Sequence, residues 1–74
     1  MNFFKKKDKQ DNLSKCMQDE VIRIAVNRLG KRLSKELESK VRQPKWSYMG
    51  LEMIIDTVNT IDASEIEGYL SRLE

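Results

Sequence analysis

The 74 residues hold 14 Lys/Arg, 12 Asp/Glu, one cysteine and no histidine, for a net charge of +2. A chain this short forms one domain at most. With Cys16 alone and no histidine it can build neither an intrachain disulfide nor a Cys/His zinc site, which leaves an efficient helical core or a second subunit to stabilise it.

The charge is divided along the chain. Residues 1–45 carry 13 Lys/Arg against 6 Asp/Glu, a net +7, and residues 46–74 carry 1 against 6, a net −5. Such a division bears on partners and self-association rather than on fold. Met1 to Asn12 (MNFFKKKDKQDN) lacks the apolar stretch of a signal peptide, and no run approaches the roughly 20 apolar residues of a membrane span. The segment has no helical or strand period and reads as a flexible basic arm over 1–12, ahead of a single helical domain over 13–74. Phe3 and Phe4 beside Lys5, Lys6 and Lys7 would suit a lipid interface, but one such signal gives only marginal, reversible binding, so a membrane partner is the least supported. A lone cysteine without an export signal points to the cytoplasm.

Asn12 or Ser14 can cap the start of a helix. Leu13, Met17, Val21 and Ile24 form its first apolar stripe, and Ile22, Val26, Leu29, Leu33 and Leu37 form a second on the opposite side. The two overlap over Val21 to Val26, where the helix is apolar nearly all round and must be buried on several sides. Gly30 either ends this helix as a left-handed cap or lies inside a continuous one. The polar face persists from Arg28 to Arg42, which favours one long helix closing before Pro44, since the residue before a proline leaves the α region. Covering both stripes needs more apolar surface than two short C-terminal helices supply. The expectation is a homodimer buried through Leu13, Met17, Val21 and Ile24. Arg28, Lys31, Arg32, Lys35 and Arg42 would then line one cationic face, a candidate contact for a partner or for phosphates.

Gln43 to Ser47 reads as a turn, with Trp46 as a core anchor. Ser47 caps a second amphipathic helix, whose stripe is Tyr48, Leu51, Ile54, Ile55, Val58 and Ile61. Met49 and Met53 lie off that stripe at i, i+4 and make a candidate docking patch. Asp62-Ala63-Ser64-Glu65 resembles a capping box opening a short acidic helix whose apolar face is Ile66, Tyr69, Leu70 and Leu73.

Chemistry beyond charge has little to stand on. A histidine triad is impossible, and Cys16, without a histidine partner and close to the first stripe, reads as a buried structural thiol. The Ser-Lys neighbours at 14–15, 34–35 and 39–40 do not face each other on a helix. The carboxylates Glu52 and Asp56 share a helix surface rather than a cleft, and the three glycines are isolated, so no phosphate loop forms. Tyr48 to Leu73 superficially resembles a helix-turn-helix, but its second helix carries Glu65 and Glu67 and would be repelled by DNA.

These observations predict an all-α small helical bundle in which one long N-terminal helix, broken or not at Gly30, packs against two shorter C-terminal helices. They predict no enzyme, metal or cofactor. The expected function is that of a small dimeric protein-interaction module, an adaptor, inhibitor or regulatory subunit, with nucleic-acid binding by the basic helix face as the alternative.

Overall fold

A computed structural model describes the backbone of residues 2–73 and the side chains of residues 13–73. The basic arm expected over 1–12 therefore has its side chains outside the described residues. The fold is all-helical: α1 (Asn2–Leu29), α2 (Lys35–Val41), α3 (Tyr48–Thr60) and α4 (Ala63–Ser71). The helix expected to open at Asn12 or Ser14 runs through both positions.

The principal correction falls at Gly30. No glycine or proline interrupts the sequence between Asn2 and Leu29, and Gly30 then ends α1 in the left-handed region, with φ +74° and its N–H donating to Val26 O at 2.9 Å. Only glycine takes that conformation without a steric cost, which makes Gly30 a stop signal rather than a passenger in one long helix. Ser34 restarts the chain as α2, its Oγ accepting from Leu37 N at 3.3 Å. Glu36 and Glu38 in the first turn and Lys40 in the last complement the helix dipole of this short element. α2 closes at Val41 with Arg42 as its cap, ahead of Pro44 as the sequence predicts.

Hydrogen bonds between elements fix the directions of the helices. Arg28, late in α1, donates to Val58 O and Ile61 O at the C-terminal end of α3. Gln18, earlier in α1, donates to Gln43 O ahead of α3, at 3.1 Å. So α1 and α3 run parallel, and the chain returns through α2 from the end of α1 to the start of α3. Lys40, late in α2, donates to Leu73 O beyond the end of α4 at 3.4 Å, which places α4 beside α2 in the same direction. α1 pairs most extensively with α3, and α2 pairs with α4, which also lies against α1.

Met17, Val21, Ile24, Ala25, Leu33, Leu37, Val41, Leu51, Ile54, Val58, Ile66, Leu70 and Leu73 form one core. Ile22, Val26 and Leu29 are half-buried against it. The reversal at Gly30 explains how a single chain covers both stripes of α1. Folded back, Leu33, Leu37 and Val41 become a covering layer instead of prolonging the surface to be covered. Of the four residues expected at a dimer interface, Met17, Val21 and Ile24 lie inside the core of one copy, and only Leu13 remains exposed.

The turn between α2 and α3 is held at Lys40, whose carbonyl accepts from Trp46 Nε1 at 2.9 Å and from Gln43 Nε2 at 3.1 Å. Trp46 packs half-buried against the core as expected of an anchor. Ser47 caps α3, accepting from Gly50 N at 3.0 Å. The expected capping box at α4 is only half realised. Asp62 takes the N-cap position and its carbonyl accepts from Glu65 N, but its side chain makes no cap hydrogen bond.

Candidate interaction surface

The five cations expected on one helix face are distributed over several elements by the break at Gly30. Arg28 extends from α1 to the carbonyls that end α3, where a cation offsets the negative end of the helix dipole. Lys31 follows the cap and pairs with Glu67 of α4 at 3.3 Å. Arg42 pairs with Asp19 of α1. Arg32 sits in the α1–α2 connection and Lys35 opens α2, both exposed. Three of the five thus hold elements of the fold together. These residues do not make the continuous cationic stripe that a helix from Val21 to Arg42 would present.

α3 is polarised the other way. Leu51, Ile54 and Val58 are buried on its inner side. On its outer side Met49 and Met53 are 73% and 68% exposed, beside the exposed carboxylates of Glu52 and Asp56. The spacing 49, 52, 53, 56 is one face of a helix. Tyr48 adds a half-exposed ring at its start. A shallow open groove runs along this side, lined among the described residues by Glu52, Met53, Ile55, Asp56 and Asn59. Two large, mostly exposed thioethers one helical turn apart are a patch, in contrast to the ordinary scatter of single apolar residues on a surface.

A second groove, of about 300 Å³, lies at the opposite end of the chain's own packing, between Ser14, Lys15 and Gln18 of α1 and Arg42, Pro44 and Trp46 of the α2–α3 turn. Gln18, 7% exposed, forms part of its wall and spends its amide on Gln43 O, so it serves to bind the turn to α1. Sequence periodicity could not single out this glutamine, because nothing distinguishes it from its exposed polar neighbours until the turn folds over it. Lys45 stands over the Trp46 ring, 5.2 Å from its centroid, on the same turn.

Cys16 is exposed, in contrast to the buried thiol expected. It lies one residue before Met17, whose side chain is buried in the core. Among the described residues no group of three or more His, Cys, Asp or Glu is placed to hold a metal, and no helix is long and apolar enough to cross a membrane. The hydrogen bond and ion pair from Arg23 hold the Glu20 carboxyl below the usual carboxylate range, and Glu20 raises Arg23 in return. Both lie on the solvent side of α1, away from either groove. No family model, curated protein or solved structure matches the chain.

Proposed function

We propose that the chain is a small, non-enzymatic protein-interaction module, an adaptor, inhibitor or regulatory subunit of the cytoplasm, and that it engages its partner through the outer face of α3. The observation that carries this reading is the exposed pair Met49 and Met53 with Glu52 and Asp56 alongside on one side. Methionine is unbranched and polarizable, so it moulds itself to a partner's apolar side chains. The adjacent carboxylates select a partner whose apolar stripe carries Lys or Arg along one edge, the recognition mode of a helix laid in a groove. Nucleic acid fits this surface poorly. Its phosphates would meet α3 and α4, where Trp46 to Ser71 include no Lys or Arg, and three of the five cations expected to attract it, Arg28, Lys31 and Arg42, engage intramolecular partners.

Calorimetric titration with a synthetic amphipathic peptide of Leu and Lys heptads tests the reading. The wild type should bind it, and Met49→Gln/Met53→Gln should bind at least about tenfold more weakly while melting at the same temperature, as exposed substitutions usually do. Equal binding by the two proteins, or binding of duplex DNA or RNA in preference to the peptide, would reject the α3 face.

A further inference from the structure

α1 opens at Asn2, well ahead in sequence of its first core residue, Met17. Gln18 meets Gln43 O, and Ser14 and Lys15 share a groove with Pro44 and Trp46, so α1 already reaches the turn ahead of α3 at Ser14 to Gln18. Leu13, on the same side as the buried Met17, is accordingly 46% exposed. Carried backwards at helical spacing, the series Ile24, Val21, Met17, Leu13 continues in the sequence through Gln10, Lys6 and Phe3. The same stretch is basic: Lys5, Lys6, Lys7 and Lys9 outnumber Asp8 and Asp11.

We propose that the occupant of the α3 face is this N-terminal stretch of α1 from a second copy, the two copies exchanging the contact about a twofold axis. The inference rests on the reading of α3 as the docking face and names its partner. Charge complementarity carries it. Glu52 and Asp56 lie along one side of the Met49–Met53 pair, whereas the candidate occupant joins Phe3 and Leu13 to a run of lysines. The chain's own N-terminal stretch cannot serve. It is continuous with the helix whose Met17, Val21 and Ile24 are buried in the core on the inner side of α3, and Met49 and Met53 face outward. A twofold arrangement lets one surface pair satisfy both copies. This dimer differs from one built through Met17, Val21 and Ile24, since it leaves the core of each copy intact. Its ionic component is exposed and weakens as salt shortens the screening length.

The test is a charge exchange on the full chain, followed by sedimentation equilibrium up to about 1 mM, the range of weak transient interfaces. One variant is Glu52→Lys/Asp56→Lys, and the other is Lys5→Glu/Lys6→Glu/Lys7→Glu. The wild type should move from 8.7 kDa towards twice that mass with concentration, and less so in high salt. Each variant alone should stay monomeric, being like-charged at both surfaces. An equimolar mixture should dimerise again, because each arm then finds an opposite face. Helical circular dichroism melts matching the wild type confirm that both variants fold. A wild type that remains monomeric throughout, or variants that fail to pair on mixing, overturns the second-copy occupant. If the Leu/Lys peptide still binds at Met49 and Met53 in that event, the docking face stands and only its occupant is wrong.

Discussion

Gly30 decides the architecture with a hydrogen atom for a side chain. At φ +74° an alanine there would carry the strain of the left-handed region even though nothing lies within 4 Å of the added methyl. Gly30→Ala should therefore destabilise the protein by about 1 kcal/mol, read as a lower denaturation midpoint with an unchanged denaturant slope. In a continuous helix the same substitution would stabilise by about 1 kcal/mol, so the sign alone separates the two architectures. Glu20 offers a second measurement at this scale. Its folded-state pKa is lowered by the hydrogen bond from Arg23, so the pair contributes stability above the unfolded-state pKa and loses it as pH falls through the folded value. In a carboxyl NMR titration Glu20 should have a midpoint below that of an ordinary glutamate. Arg23→Gln should bring it back, with little change in melting temperature because both side chains are largely in solvent.

At the scale of elements, burial divides the two amphipathic faces sharply. Ile24 is 8% exposed within the core, whereas Met53 stands on the free side of α3. Ile24→Asp should leave the chain largely unfolded at any concentration, because it places an unpaired carboxylate among Met17, Val21 and the covering helices. Met53→Asp should change stability by about 0.5 kcal/mol or less. Chemical denaturation of the two at several protein concentrations checks both, and an Ile24→Asp protein as stable as the wild type would show that α1 is not packed as described. Most of this division was legible in the sequence. Helical periodicity located α3, α4 and both stripes of α1, Ser47 and Pro44 marked ends, and the i, i+4 methionines stood off the stripe. The reversal at Gly30 was not legible, since a glycine within a steady polar pattern is compatible with a cap and with a continuous helix, and Leu33 and Leu37 keep helical spacing to Leu29 in either case. That one ambiguity carried the dimer interface and the cationic face with it. Gln18 and the anchoring roles of Arg28 and Lys40 depend on backbone carbonyls brought up by other segments, which no local pattern records.

For the molecule as a whole, the described residues complete one core within a single copy, and the outer side of α3 leaves Met49 and Met53 exposed, the face proposed for recognition. The charge division follows the same lines: the basic half supplies ties such as Arg28, Lys31 and Arg42, and the acidic half supplies the carboxylates beside the exposed methionines. The methionines themselves report most directly on the claim, since Met17 lies in the core at 9% exposure and Met49 and Met53 lie on the proposed working surface. Methyl spectra of carbon-13-labelled methionine, recorded while the Leu/Lys peptide is added, should show the Met49 and Met53 signals moving together to saturation while Met17 keeps its position. Movement of Met17, or a saturating peptide that leaves Met49 and Met53 unmoved, would contradict the account.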